Sequence, residues 1–147
     1  MADLTTFVTA LEAAQNGAKY NPDIQAAAKK VNTDDFKKAY AAAEAMGAKD
    51  TISDEAQSTA LVNAFEFAAL LVKELEAAPT NDEKLDLYAH FKIGKREEVP
   101  KPGMFDMVKK AMFNHWSKYK DELDAQKAQA TYVKLVVGLI AKYGLRD

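Results

Sequence analysis

The chain of 147 residues contains 48% hydrophobic residues, carries a formal net charge of −2 and has no cysteine. Its length and apolar content predict one folded domain with a hydrophobic core, and the charge gives no general attraction to nucleic acid or to an anionic membrane. The lack of cysteine excludes disulfides, thiolate catalysis and cysteine-ligated zinc, and it favours a reducing compartment.

Helices dominate the predicted structure, because only six glycines and four prolines interrupt long segments rich in Ala, Leu, Glu and Lys. The first segment places Leu4, Phe7, Val8 and Leu11 at i, i+3, i+4 and i+7, which is typical of an amphipathic helix. The predicted helices cover approximately residues 3–16, 24–31, 34–46, 54–77, 81–92, 104–119 and 123–143. We therefore predict an all-α protein.

Capping residues predict several of the helix boundaries. Ser53 is expected to cap the fourth helix, which is predicted to run to Ala77. Thr80 and Glu83 have the spacing of a capping box at the start of the fifth helix. Gly144 is a natural end for the last helix.

No targeting or membrane-spanning segment is predicted. The N-terminal segment has acids at Asp3 and Glu12 and no basic stretch before its apolar residues, unlike a signal peptide. The apolar run over residues 56–72 is interrupted by Asn63 and Glu66, which argues against a transmembrane helix. We expect a cytoplasmic protein without stable membrane insertion.

The two parts of the chain differ in composition. Residues 1–60 contain 16 alanines, with six basic and nine acidic residues, whereas residues 61–147 contain 14 basic and 13 acidic residues. The single tryptophan, both histidines and four of the six tyrosines lie in the second part. We interpret residues 1–60 as a helical extension that adds modestly to stability and offers a surface to a protein partner. Residues 61–147 are then the functional unit.

Signals of enzymatic chemistry are missing from the sequence. It contains no Gly-rich phosphate loop, no GxSxG and no HExxH pattern. His90 and His115 each stand without a nucleophile at a recognisable spacing, so structural roles are favoured for both. We predict a protein that is not an enzyme and has no metal site or bound cofactor.

Aromatic and basic side chains meet in the fifth helix. Tyr88, Phe91 and Lys92 lie at i, i+3 and i+4, and Leu85 lies one turn earlier on the same side. One interpretation is an ordinary amphipathic helix, with core rings and a lysine that extends over them to solvent. The other is a surface that stacks on a planar base, with Lys92 against a phosphate.

The order of residues in the second part favours the binding interpretation. The pattern consists of Phe65, Ala68, Ala69, Val72, Lys73, Leu75, Pro79, Lys84, Leu85, Leu87, Tyr88, Phe91, Lys92, Pro102, Gly103, Met104, Asp106, Lys110, Ala111, Trp116, Tyr132, Val136, Leu139 and Tyr143. This ordered set resembles the acyl-CoA-binding protein family over residues 61–147. The resemblance implies an up-and-down bundle of four helices, here with additional N-terminal helices, that binds long-chain acyl-CoA without reacting it.

The resemblance also implies roles for individual residues. Tyr88 and Lys92 match positions that hold the nucleotide and its 3′-phosphate, Phe91 stands where a second tyrosine is usual, and Tyr132 matches a nucleotide contact. The positions that match the acyl and pantetheine path are Phe65, Ala69, Lys73 and Leu85.

The third helix of the family bundle departs from the family pattern. Met112 aligns with a lysine that usually meets the phosphate. Lys109 lies one turn earlier and is a candidate substitute, together with the loop cations Lys95, Arg96 and Lys101.

We therefore predict a carrier or buffer of long-chain fatty acyl-CoA in which residues 61–147 form the acyl-CoA-binding domain. The alternative is a protein-interaction module that keeps the same helical bundle and uses a helical face or residues 1–60 to bind a partner.

Overall fold

The computed structural model describes residues 4–146, which form seven α-helices and one 3-10 turn. The helices are α1 (Thr5–Gln15), α2 (Pro22–Lys29), α3 (Thr33–Ala45), α4 (Glu55–Leu71), α5 (Asn81–Gly94), α6 (Met107–Tyr119) and α7 (Ala125–Tyr143). Apart from one isolated bridge, the described residues contain no β-structure. The all-α prediction is confirmed, although residue 3, the predicted start of the first helix, lies outside the described part of the chain.

Short polar side chains start several helices. The predicted capping box is present at α5, where the Glu83 N–H donates to Thr80 Oγ1 at 3.2 Å and the Thr80 N–H donates to Glu83 Oε1 at 2.8 Å. The cap predicted at Ser53 is wrong by one residue, because Asp54 accepts from the Gln57 N–H. The start of α6 shifts from Met104 to Met107, since the Asp106 carboxylate accepts from the backbone N–H three residues on.

The end of α4 corrects the prediction of a helix running to Ala77. The α-helix ends at Leu71 and continues as a 3-10 turn over Val72–Glu74. Leu75 then forms a bridge with Leu145, and the Glu76 N–H donates to the Gly144 carbonyl at 2.9 Å. A backbone pairing with the far end of the chain therefore ends this helix.

The N-terminus of α5 is tied to the C-terminus of α7 through Glu83. The Tyr143 hydroxyl donates to Glu83 Oε1 at 2.6 Å, and Lys142 Nζ lies 3.0 Å from Glu83 Oε2. The hydrogen bond from Tyr143 is the main reason that the pKa of Glu83 falls to about 2. This carboxylate stays ionised at neutral pH and keeps its partners on both helices.

Helices α4 and α7 pack on each other in the centre of the protein. Helices α2 and α3 pack on α4, α1 packs on α2 and α7, and α5 packs on α7. Helix α6 packs chiefly on α5 and lies at the edge of the bundle. The α5–α6 pair is therefore joined to the rest of the bundle chiefly through α7.

One hydrophobic core crosses the boundary predicted between residues 60 and 61. That boundary lies inside α4, and the fully buried ring of Phe7 lies 5.6 Å from both Phe36 and Phe67, measured between centroids. Leu61 is buried with Ala39 and other residues of a neighbouring cluster. The first 60 residues thus contribute bulky side chains to the core. The division of the chain into an extension over 1–60 and an acyl-CoA-binding domain over 61–147 stays a prediction.

Candidate functional site

A groove of about 420 Å³ lies between α5 and α6. It is lined by Asn81, Lys84, Leu85, Tyr88, Met107, Val108, Ala111 and Met112. Most of these side chains are aliphatic or aromatic, and Lys84 is the one charged group among them. The groove brings together three of the predicted site residues: Leu85, Tyr88 and Met112.

The lining arises from helical spacing. On α5, the residues Asn81, Lys84, Leu85 and Tyr88 follow i, i+3, i+4 and i+7 and therefore share one face. On α6, the lining residues at positions 107, 108, 111 and 112 follow i, i+1, i+4 and i+5. The sequence analysis did not name Asn81 as a site residue. Its position three residues before Lys84 and four before Leu85 is the signal that places it on the same face of α5.

Tyr88 and Lys92 lie together on α5. Lys92 Nζ is 5.8 Å from the centroid of the Tyr88 ring and 3.5 Å from Glu97 Oε1. Both side chains are half-buried rather than enclosed in the core. A phosphate that approaches Lys92 would compete with Glu97 for the same ammonium group.

Phe91 leaves this surface and packs inward. Its ring centroid lies 5.4 Å from that of Phe65 and 5.9 Å from that of Tyr132, and Phe65 meets Tyr132 edge-on at 5.1 Å. Phe65 and Tyr132 are buried, and burial raises the pKa of Tyr132, so its phenol is neutral at physiological pH. This cluster supports α5 from behind, and a direct ligand contact by Phe65 would require its ring to move.

The remaining predicted residues lie apart from the groove lining. Ala69 is half-buried against the main core, and Lys73 is exposed in the 3-10 turn. Lys109 is exposed on α6, with its Nζ 3.8 Å from Asp106 Oδ2.

The three loop cations differ in their surroundings. All three are exposed, and the Nζ atom of Lys95 lies 3.3 Å from Glu66 Oε1. The ligand contacts predicted for these and the other site residues stay predictions.

Two histidines connect α5 with α6, which agrees with the structural roles predicted for both. His90 Nδ1 donates to the Asp86 carbonyl at 2.8 Å, and His115 Nε2 lies 2.7 Å from Asp86 Oδ1. Both imidazole rings contact Tyr119, and burial lowers the pKa of His90. These contacts hold the two helices that form the groove at a defined separation.

The described residues show neither a metal-binding cluster nor a membrane-spanning helix. Residues 4–146 contain no group of three or more His, Cys, Asp or Glu side chains arranged to hold a metal ion. Over the same residues, no helix combines the length and the apolar character needed to cross a bilayer.

Comparison with known proteins connects this arrangement to one family. The family model described as acyl CoA binding protein matches residues 62–136, which include all ten predicted site residues. Acyl-CoA-binding protein homolog 1 of Caenorhabditis elegans is 49% identical over 82 residues, covering 54% of this chain and 94% of that relative. The chain belongs to the acyl-CoA-binding protein family.

Two further family members agree with this assignment. The acyl-CoA-binding protein homolog of Drosophila melanogaster is 42% identical over 82 residues, covering 54% of this chain and 93% of the relative. The acyl-CoA-binding protein of Saccharomyces cerevisiae is 38% identical over 82 residues, covering 54% and 92%. The segment matched by the family model begins within α4, so α1–α3 lie outside it. The predicted bundle with additional N-terminal helices is confirmed.

Proposed function

We propose that this protein binds long-chain fatty acyl-CoA esters without reacting them, and that it carries or buffers these esters in the cytoplasm. The observation that carries the proposal is the apolar groove between α5 and α6, which is lined in part by the Tyr88 ring, with Lys92 one turn further along α5. Related proteins are named for acyl-CoA binding, which agrees with this chemistry.

The groove suits the acyl chain of the ligand. Its aliphatic lining from Leu85, Val108, Ala111 and two methionines offers no strong hydrogen-bonding partner to an incoming chain. Methionine side chains adapt to the shape of what they contact, which suits a flexible chain. Each methylene fully removed from water contributes about 0.8 kcal/mol, so a long chain is the main source of affinity.

The surface around Tyr88 suits the CoA nucleotide. The Tyr88 ring is half-exposed and is available to stack on a planar base, and Lys92 is within reach of a phosphate. Lys92 Nζ lies 3.5 Å from Glu97 Oε1, so a phosphate that binds Lys92 exchanges one charge-assisted contact for another. The net gain from the phosphate is therefore smaller than for an unpaired lysine.

The lining of the groove favours binding over catalysis. Its eight residues include no carboxylate, histidine, serine or thiol, so Lys84 and Tyr88 are the only lining residues able to supply a nucleophile or general base.

Calorimetric titration of the full chain with palmitoyl-CoA, free CoA and palmitate tests the proposal. We expect tight binding of palmitoyl-CoA and much weaker binding of each of the two parts. Palmitate binding as tight as that of palmitoyl-CoA would mean that the CoA portion is not recognised. No binding of any of the three would overturn the proposal and favour the protein-interaction module.

A further inference from the structure

One end of the α5–α6 groove carries polar groups that the proposed function does not use. Asn81 and Lys84 line the groove from the start of α5, whereas Leu85, Tyr88 and the four lining residues of α6 are aromatic or aliphatic. Lys84 is the single charged residue of the lining, and no acid lies beside it there. The groove is therefore apolar along its length and positively charged at one end.

The side chain of Lys84 is free to bind an anion. Within residues 4–146 its ammonium group forms no ion pair and no side-chain hydrogen bond, and the Asn81 amide likewise has no partner. Lys92 differs, because its Nζ atom lies 3.5 Å from Glu97 Oε1. An anion that binds at Lys84 displaces no carboxylate.

The two acids at the start of α5 lie away from the groove. Glu83 is bound by Tyr143 and Lys142 of α7. Asp82 is outside the groove lining, and successive residues of a helix are 100° apart, which places Asp82 about 200° from Lys84 around α5. Neither carboxylate therefore neutralises the positive end of the groove.

Tyr88 lies between two lysines on α5. Lys84 precedes it by four residues and Lys92 follows it by four, so the two lysines are about 12 Å apart along the helix axis. The proposed function assigns a CoA phosphate to Lys92. A ligand held there and lying in the groove extends toward Lys84, so the far end of its acyl chain approaches the second cation.

We propose that the groove accepts CoA esters of dicarboxylic fatty acids, whose acyl chain ends in a carboxylate that binds Lys84 and Asn81. The ammonium and amide groups donate to the carboxylate oxygens, whereas an entirely apolar groove would reject the charged end. When the chain ends in a methyl group, the aliphatic stem of Lys84 lies along the groove wall and its ammonium stays in water. This inference rests on the proposed function and names a further class of ligand for the same site.

A cycle of two proteins and two ligands tests the contact. The full chain and its Lys84→Met variant are titrated calorimetrically with palmitoyl-CoA and with the mono-CoA ester of hexadecanedioic acid. Methionine keeps an unbranched stem without the charge. We expect Lys84→Met to weaken binding of the dicarboxylic ester about fivefold, as for a solvent-exposed ion pair, and to leave palmitoyl-CoA binding unchanged or tighter. The loss should shrink at high salt.

Chain length distinguishes a local contact from general attraction. The titrations are repeated with dicarboxylic esters of eight to sixteen carbons. The carboxylate reaches Lys84 only within a narrow range of lengths, so the effect of Lys84→Met should peak at one length. The matched control is Lys110→Met, which removes an exposed cation of α6 outside the groove lining and should show no such peak. Circular dichroism checks the fold of each variant, and Lys84→Gln provides a second neutral replacement.

Three results would overturn the proposal. These are an equal effect of Lys84→Met on both ligands at every chain length, a loss of the same size for Lys110→Met, and a failure of the unmodified chain to bind any dicarboxylic ester. If palmitoyl-CoA still binds in these cases, only the assignment of Lys84 is refuted. Absence of binding for palmitoyl-CoA and the dicarboxylic esters alike would refute the proposed function as well.

Discussion

The two sides of the protein each carry a surface depression, and the two differ in chemistry. The depression among α2, α3 and α4 is the larger, at about 560 Å³, but six of its eight lining residues are of polar or charged types, with Lys30, Asp35 and Glu55 among them. The groove between α5 and α6 measures about 420 Å³ and is mostly apolar. Chemistry rather than size therefore favours the α5–α6 groove as the lipid site.

The same contrast holds for the aromatic and other large apolar side chains. On the α1–α3 side, Phe7 and Phe36 are completely buried, whereas Phe105 beside the groove is 91% exposed. A region that buries its rings contributes stability, and a region that exposes them supports interaction. We expect substitutions on the two sides to separate stability from binding.

Removal of α1–α3 should have the largest effect on stability. A chain that begins at Asp54 keeps the cap of α4 but loses the partners of Leu61 and Phe67. We expect the fragment to remain helical and to bind palmitoyl-CoA as the full chain does, with a strongly lowered unfolding midpoint. Circular dichroism during urea unfolding and calorimetry measure both properties. An unfolded fragment would show that the two regions form one folding unit.

A matched pair of phenylalanine substitutions sharpens the comparison. Phe7→Ala leaves a cavity in the core and is expected to lower the free energy of unfolding by about 3–5 kcal/mol. Phe105→Ala removes an exposed ring and should change it by less than about 0.5 kcal/mol. Urea unfolding measures both changes. Similar losses for the two variants would contradict the division between packing and interaction surfaces.

Among the single substitutions, removal of the Lys92 side chain on α5 should have the largest effect on ligand affinity. A hydrogen bond to a charged group contributes about 1.5–3 kcal/mol, and the competing contact with Glu97 favours the lower end of that range, so Lys92→Ala is expected to weaken palmitoyl-CoA binding about tenfold, with the loss reduced at high salt. Lys37→Ala on α3 is the control and should bind normally. Normal binding by Lys92→Ala, combined with unfolding of Tyr88→Ala, would favour the core-packing interpretation of this helix.

Introduction of a lysine on α6 should have a smaller effect of opposite sign. Met112 lines the groove where most family members are expected to place a cation, so Met112→Lys should tighten palmitoyl-CoA binding by about 1 kcal/mol. An analogue without the 3′-phosphate should gain less. An equal gain for both ligands would indicate general electrostatic attraction, and weaker binding would mean that the Met112 side chain packs against the ligand or the core.

The sequence predicted the elements better than their ends. Local signals such as the Thr80–Glu83 capping box were correct, because their partners lie one turn away. The end of α4 was wrong, because the bridge between Leu75 and Leu145 joins residues far apart in the sequence. Periodicity placed Phe7 on the apolar face of α1, but it did not indicate the packing of this ring against Phe36 and Phe67, which are far away in the sequence.

For the candidate site, the sequence predicted residue types better than their placement. Leu85 and Tyr88 on α5 and Met112 on α6 line the same groove. Periodicity indicates which residues share a face of one helix, but it does not indicate how two helices pack together. The Phe91 ring packs against Tyr132 of α7, and Lys92 pairs with Glu97 of the loop after α5. Both contacts depend on the tertiary structure and are not indicated by the local sequence of α5.

Mapping of backbone amide chemical shifts in the full chain tests the central claim most directly. During titration with palmitoyl-CoA, we expect the largest shifts in residues 81–92 of α5 and 107–112 of α6, with little change in α1–α3. Shifts concentrated around the polar depression among α2, α3 and α4, or no shifts at all, would contradict a site in the α5–α6 groove.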